Sequence, residues 1–598
     1  MLAALSIGIR FPNSSTPQNY HNSDATWHTL LTMEAFGETP ASIHRFLPIV
    51  SLGNETDKHI RWGAAIPDEY GNFYYTSFSS AGFVAPYIFT TIFNMQRTEQ
   101  SLYIFNSLLL ILSFLLTARL FMKLFNKYLS NMLIVILAAL IYMFQPEIMH
   151  SQGIVYWHHS LFQFFLLLQL NFFINLRNKV CFTLFMVLCI IMPYIEWTGF
   201  VSNAAMAIGI LFKKPDDLFQ GKVTTTRKAK VITFVAVGLL SVLSFVIFFL
   251  HFLSAVDFDV FINALRSRFM ARNITTQVSL LSLPMYYFKS FGALISIVAV
   301  GSVILLLSEA RKNMVELIKE HWIIIFVFIF ILVENVIMVQ HAMLYSFARM
   351  KGVFILMYFA YALIAALLKV IEDKNISIRY SVLVVFLIFA LMATFNVYHY
   401  TRPNNHYSWD VPYRITNAQI ADEINSSFTH DNSILVSPVA IRGYTNLLFN
   451  RGINVRSAIC SQLVHSAIQR EQAYIVNLDL LLGQWNMNEI FGFTVYEVAN
   501  GVIQQNDNGE RLSPFFVTDN NWERGFSKHF PVFLMPNVTK NRERFTIGRT
   551  IYVADGDQRE IVFAEERGVF LHVTVSGEIL YPSDKKFPSD LEFASQIE

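Results

Sequence analysis

Charge is scarce in this chain. Only 15% of its 598 residues are Asp, Glu, Lys or Arg, whereas 54% are hydrophobic and 56 are Phe. A soluble domain of ordinary composition carries about a quarter of its residues as charges, so this balance excludes that class and points to a chain solvated by lipid. Mean hydropathy is +0.43. The net charge of +2 leaves no basic excess for a nucleic-acid backbone. Cysteine is nearly absent. Cys181 and Cys189 lie in apolar runs and Cys460 stands alone in a polar tail, so no disulfide framework is available. No phosphate-binding loop, dinucleotide fingerprint, nucleophile elbow or His-Glu-x-x-His pair occurs in a fitting context, and there are no repeats and no low-complexity tract.

Long apolar runs are what the chain has. They fall at 101–121, 130–146, 156–175, 180–195, 197–212, 231–252, 290–307, 322–340, 352–370 and 380–398. The run at 2–11 is too short to span a bilayer and reads as the end of a first transmembrane helix that begins upstream. The expected fold is an α-helical polytopic membrane protein with about eleven spans over 1–398 and a soluble α+β domain over 399–598. Between the first two spans lies a polar stretch, 12–100, with a helix expected at 24–36 and a membrane-surface segment at 81–93. In the tail, strands are expected at 433–436, 474–478, 550–553, 561–564 and 569–575, and a helix at 417–427.

Lys and Arg orient the spans. Arg119, Lys123 and Lys127 form one basic group, followed by Arg177 and Lys179, the cluster from Lys213 to Lys230, then Arg311 to Lys319, and last Lys369 to Arg379. All five groups fall on one side by count, and the positive-inside rule makes that side cytoplasmic. The stretches 12–100, 145–155, 253–289 and 340–351 and the tail are then extracytoplasmic.

Unusual residues collect on that outer side. Asp24 and His28, in Tyr20-His-Asn-Ser-Asp-Ala-Thr-Trp-His28, share one face of the expected helix, with Glu34 further along. Asp24 reads either as a helix cap or as a base at the bilayer surface. Asp68, Glu69, Tyr74 and Tyr75 follow in the same stretch. Arg266, Arg268 and Arg272 break the charge rule; they suit lipid headgroups or a phosphate gripped by guanidinium. Glu334 is a lone carboxylate near the outer end of an apolar helix, followed by His341, Tyr345, Arg349 and Lys351. Such a group is either ion-paired to a neighbouring helix or functional. His150, His158 and His159 with Glu147 lack the usual spacing of a zinc site and fit better as an acceptor-binding or interfacial patch; a divalent metal stays open. Glu196 sits in Pro193-Tyr-Ile-Glu-Trp-Thr-Gly199, between two spans, as a helix start or a cavity residue.

This layout resembles the GT-C superfamily of membrane glycosyltransferases, which includes aminoarabinose, mannosyl and oligosaccharyl transferases. The resemblance covers roughly 1–400. It rests on one helix, a long outer loop opening with an acidic residue (Asp24), the aromatic segment Phe73-Tyr-Tyr-Thr-Ser-Phe78 before the second span, a multi-span body and an outer tail. It implies a polyprenyl-phosphate sugar as donor, a surface glycan, lipid or protein as acceptor, Asp24 as general base and an outer-loop arginine on the phosphate. Two departures stand out: Asp24 is followed by Ala25 where many relatives carry Asp-Glu, and the Trp-Trp-Asp signature of oligosaccharyl transfer is absent. A glycan polymerase or ligase would place its large loop late in the chain. A lipid-linked glycan transporter would show charges deep in its spans and two-fold repeats. A scaffold would leave Asp24 and the outer arginines without a role.

Overall fold

The computed structural model describes residues 1–15, 20–51, 65–68, 72–212, 226–272, 280–374, 377–402 and 406–407, and nine strands between 433 and 580. The chain divides into two units: Met1–Met33, Ala41–Pro48 and Thr76–Trp409 form one, and Glu34–Pro40, Ile49–Tyr75 and Asp410–Glu598 form the other.

The first unit is helical. It opens with α1 (Leu2–Arg10), the part of α2 (Asp24–Glu38) up to Met33, the one-turn α3 (Ala41–His44) and α4 (Ala81–Ile92). There follow α5 (Glu99–Phe125), α6 (Asn131–Ala138), α7 (Pro146–Met149), α8 (His158–Phe173), α9 (Lys179–Ile195), α10 (Thr198–Phe212), α11 (Arg227–Leu253), α12 (Phe258–Arg272), α13 (Leu283–Leu306) and α14 (Ala310–Ile331). The next stretch breaks into α15 (Val333–Ile337), α16 (Val339–Leu344) and α17 (Ser346–Arg349) before α18 (Val353–Asp373) and α19 (Ile378–Thr401).

Six helical stretches among the described residues are long and apolar enough to cross a membrane: Glu99–Phe125, Arg227–Leu253, Leu280–Leu306, Ala310–Ile337, Ser346–Glu372 and Ile378–Thr401. A seventh results if Asn131–Met143 and Pro146–Ile154, bent by 69°, are one span. The expectation of eleven also counted α1, α8, α9 and α10. Those helices form where the apolar runs lie, but they hold 9, 16, 17 and 15 residues. At 1.5 Å per residue they are about 14–26 Å long, short of a hydrocarbon core of about 30 Å.

Local chemistry sets the helix ends. Ser130, Asn178 and Thr226 side chains accept from backbone N–H groups in the first turns of α6, α9 and α11. Thr98 and Ser101 close a reciprocal capping box at the start of α5. Along α19, Leu383, Leu387, Leu391, Phe395 and Tyr398 are exposed at helical spacing, a face suited to lipid. Between helices, buried amides act as glue. Gln169 Nε2 donates to Asn203 Oδ1 at 2.7 Å, and Asn203 Nδ2 donates to the Cys189 carbonyl at 2.7 Å and to Ser241 Oγ at 2.8 Å, joining α8, α9, α10 and α11.

Three of the five basic groups found in the sequence meet at one end of this unit. Lys127 pairs with Glu320 at 3.5 Å, Lys369 with Glu316 at 4.0 Å and Lys374 with Glu309 at 3.7 Å. The residues at 334–351 lie at the other ends of α14 and α18. The 21 residues of α18 separate the two levels by about 32 Å, the thickness of a bilayer core.

In the second unit, β1 (Ala65–Pro67) pairs antiparallel with β2 (Phe73–Tyr75). Asp68 accepts from Asn72 N at 2.8 Å, Asn72 Nδ2 at 3.1 Å and Tyr74 Oη at 2.8 Å, which closes the hairpin. Later strands are β3 (Ser433–Ser437), parallel to β4 (Ile453–Ser457); the antiparallel set β5 (Ala473–Val476), β6 (Val495–Ala499) and β7 (Val502–Gln505); and the meander β8 (Ile551–Ala554), β9 (Gln558–Ile561), β10 (Leu571–Thr574) and β11 (Ile579–Leu580). The strand expected at 561–564 is displaced. Pairing runs from Ala554 with Gln558 to Ile551 with Ile561, which uses up β8. The helix expected at 417–427 lies outside the described residues.

Candidate active site

The site is built at the end of the bundle opposite the basic groups. At the end of α9, Glu196 has an extended backbone (φ −159°, ψ 146°), and α10 starts two residues later. A side chain at Gly199 would put Cβ 2.2 Å from the Met192 carbonyl carbon, so only glycine lets α10 turn back this tightly. Glu196 Oε2 accepts from the Thr198 N–H at 2.7 Å, the helix-start role open to it in the sequence. Thr198 Oγ1 accepts in turn from Lys351 Nζ at 3.2 Å, and Lys351 forms a buried ion pair with Glu334. The lone carboxylate near the outer helix end thus has a cation as partner.

Aromatic groups surround these charges. His159 Nε2 lies 4.0 Å from Glu196 Oε1, and its ring stacks with His341 at 5.6 Å and leans on Phe347 at 4.7 Å. His341 continues to Tyr345 at 4.9 Å. His158 packs on Phe83 at 4.5 Å and Phe78 at 4.8 Å. His28, one turn into α2, packs at a tilt against Trp157 at 5.2 Å and Phe83 at 5.1 Å, and Thr26 Oγ1 accepts from the Tyr156 N–H at 3.0 Å. Those contacts bring the start of α2 against the start of α8. Arg268 on α12 donates from Nε to Ser77 Oγ at 3.0 Å, and Trp197 Nε1 donates to the Ser77 carbonyl at 3.0 Å. A cleft opens beside them, lined by Phe78, Ser79, Tyr194, Glu196, Trp197 and Phe248 among others.

Burial governs protonation here. It raises the Glu196 carboxyl to about 7; Glu334 adds to the rise, and Lys351 and Thr198 oppose it. Burial also holds His28 well below 6.5, helped by His158 and Arg268. At neutral pH the cluster therefore offers a neutral imidazole and a carboxyl that exchanges its proton, beside the side chains of Lys351 and Arg268. Among the described residues no three His, Cys, Asp or Glu side chains are grouped so as to hold a metal ion.

The residues singled out in the sequence distribute as follows. His28, His158, Glu196, Glu334, His341, Tyr345, Lys351 and Arg268 share this neighbourhood through the contacts above. Asp24 is the first residue of α2, four before His28; its side chain lies outside the described part. Arg266 is exposed on α12, and Arg272 ends that helix with its side chain outside the described part. Glu34, Asp68, Tyr74 and Tyr75 belong to the second unit, where Glu34 is half-buried, Asp68 closes the hairpin, and Tyr74 and Tyr75 are buried. Glu69 lies outside the described residues.

Arg349 sits in a second polar cluster. It is ion-paired to Glu147 at 3.1 Å, and it donates from Nε to Ser290 Oγ at 2.8 Å and from Nη1 to the carbonyls of Ala342 at 2.5 Å and Met343 at 3.1 Å. Those carbonyls are left open by the break between α16 and α17, and the guanidinium satisfies them. Tyr407 Oη donates to Glu147 Oε2 at 2.6 Å. Sequence reasoning passed over Tyr407, Thr198 and Ser77. It weighed His159 and Glu147 as metal ligands and preferred an acceptor-binding or interfacial patch for them. The adjacency of His159 to His158 at a helix start was a usable signal; Tyr407, in a polar tail, gave none.

No family model matches the chain, and no curated protein matches it. Among solved structures it is similar to the oligosaccharyltransferase of Archaeoglobus fulgidus in the apo form, at 12% identity over 82% of this chain and 71% of that one, with a TM-score of 0.43. It is similar to the same protein in complex with Zn and sulfate, at 12% identity over 84% of this chain and 72% of that one, with a TM-score of 0.42.

Proposed function

We propose that this chain is an integral membrane glycosyltransferase. It moves a sugar from a polyprenyl-phosphate donor to a hydroxyl of a surface glycan, lipid or protein acceptor at the extracytoplasmic face. The observation that carries this reading is the buried grouping of Glu196, His159, Lys351 and Glu334, with Arg268 beside it, one bilayer thickness from the basic ends of the helices. Groups of this kind are costly inside a membrane protein unless they pair or serve a substrate, and a cluster that also gathers a second carboxylate, a histidine and an arginine suits a substrate.

The chemistry divides between two sets of residues. Asp24, at the start of α2, removes the proton of the acceptor hydroxyl as its oxygen bonds to the anomeric carbon. The bond from that carbon to the donor phosphate oxygen breaks, and the phosphate leaves with added negative charge. Arg268 and Lys351 stabilise that charge in a site shielded from water. His28 and Glu196 shape the proton environment.

The test is mass spectrometry of surface glycans and lipid-linked sugars in the host, with and without the gene. Loss of one sugar from the glycans, together with accumulation of its lipid-linked donor, is the expected result. Unchanged glycans and donors would overturn the reading and return weight to a transporter or a scaffold.

A further inference from the structure

Tyr407, six residues beyond the end of α19, reaches back to the turn before α2. The Tyr407 carbonyl accepts from the His21 N–H at 2.9 Å. Its hydroxyl donates to Glu147, Glu147 pairs with Arg349, and Arg349 donates to the carbonyls of Ala342 and Met343. One residue further on, the Leu344 carbonyl accepts from Asn22 Nδ2 at 3.5 Å, and Asn22 Oδ1 accepts from the Ser346 N–H at 3.4 Å. Asn22 is the neighbour of His21, so the bonds form a closed circuit through four distant parts of the chain. Asn22 holds φ at 61°, a conformation that few residues other than Asn and Gly adopt readily. Aromatic rings fill the circuit. Tyr407 packs on Tyr400 at 5.7 Å and His150 at 5.2 Å, and Tyr20 stacks on Tyr400 at 5.8 Å. The turn enclosed by the circuit runs directly into α2, whose first residue is Asp24.

We infer that Tyr407, with Asn22 as its counterpart on the turn, is a positioning residue that fixes the backbone carrying Asp24. The inference rests on the reading of Asp24 as the base. Tyr407 touches no reacting atom; it acts through His21 and through the Glu147–Arg349 pair. Its hydroxyl is a neutral donor, alongside Ser290, on a buried carboxylate that also faces a guanidinium. Without it Glu147 loses one of the groups that hold it, and the 342–346 backbone that grips Asn22 is less firmly anchored.

The test separates positioning from catalysis. Ser23→Cys is placed in the full chain with Cys460→Ser, reconstituted in lipid nanodiscs, and its labelling rate by a charged maleimide is measured; Cys181 and Cys189 are buried. Tyr407→Phe keeps the ring packing and removes only the hydroxyl. The expected result is a rise in labelling at position 23 of about tenfold, the factor that goes with one lost hydrogen bond to a charged group. A cysteine at the exposed Ser42 should label at an unchanged rate. Asn22→Gly, which keeps the backbone conformation and deletes the amide, should raise labelling in the same direction. Unchanged labelling at 23 in Tyr407→Phe, with the thermal melt also unchanged, overturns the inference. Raised labelling with a lowered kcat and an unchanged donor KM supports it. Raised labelling with full transfer activity shows that the turn is held by Tyr407 but does not carry the base, and so removes Asp24 from that role.

Discussion

Glu334 pairs with Lys351 inside the protein, seventeen residues apart along a stretch broken into three short helices. Their side chains are 8% and 3% exposed. Removing one partner strands the other, and a stranded buried charge costs about 3–5 kcal/mol. Lys351→Met and Glu334→Gln should each lower the melting temperature in nanodiscs sharply. The double variant Glu334→Leu with Lys351→Met should recover much of that loss while remaining inactive. A double variant that is fully active would remove the pair from the site.

Gly82 tests the aromatic nest. A Cβ there would lie 2.3 Å from His158 Nδ1, and the Gly82 carbonyl accepts from Tyr156 Oη at 2.7 Å. Gly82→Ala should push the His158 ring off Phe83 and cost about 1–3 kcal/mol, the usual range for overpacking. At Gly238 in α11 nothing lies within 4 Å. Gly238→Ala should therefore be neutral or stabilise by up to about 1 kcal/mol through helix propensity. Thermal melts of the two variants check the contrast.

Much of this was legible in the sequence because it is local. Apolar runs located the ten helical stretches after the first, and Lys and Arg spacing predicted which helix ends belong together, as the pairs Lys127–Glu320 and Lys374–Glu309 now show. The helix expected from Asp24 does begin there. The pairings across the bundle were not legible. Nothing at Glu147 signals Arg349 or Tyr407, because the partners meet only when the broken stretch around 338–352 folds over α7. The open choice at Glu334 between ion pair and functional group could be resolved only by seeing Lys351 beside it. The count of eleven spans exceeds the six or seven long helices among the described residues because apolar runs of 15–17 residues read as spans in sequence and form helices near or below the spanning length.

Protonation gives two slopes of opposite sign. His28 is held well below 6.5, so below that value the unfolded chain binds a proton that the folded chain refuses. Stability contributed by neutral His28 is therefore lost as pH falls from 6.5. Glu196 is raised to about 7 from 4.5, so between those values the folded chain holds the extra proton, and stability falls as pH rises through that window. His28→Gln should flatten the acid limb of a melting-temperature profile. Glu196→Gln should flatten the fall between 4.5 and 7. Profiles identical to the unaltered protein would show that neither group carries the linkage.

Arg268 and Arg266 differ in setting. Arg268 is half-buried and bonded to Ser77, while Arg266 is exposed on the same helix. Arg268→Ala should lower kcat/KM for a lipid-phosphate donor by about 100-fold, near the loss of one donor to a developing oxyanion. Arg266→Ala should change it by less than about fivefold, as expected of a screened surface charge. Initial rates over a donor titration in nanodiscs distinguish them.

The measurement that bears most directly on the account is mass spectrometry of surface glycans and lipid-linked sugars in a strain carrying Asp24→Asn, with expression and melting temperature matched to the unaltered chain. Loss of one sugar from the glycans and a rise in its polyprenyl-phosphate form, as in the deletion, is the expected result. Normal glycans in Asp24→Asn, alongside altered glycans in the deletion, would contradict the assignment of Asp24 as the base.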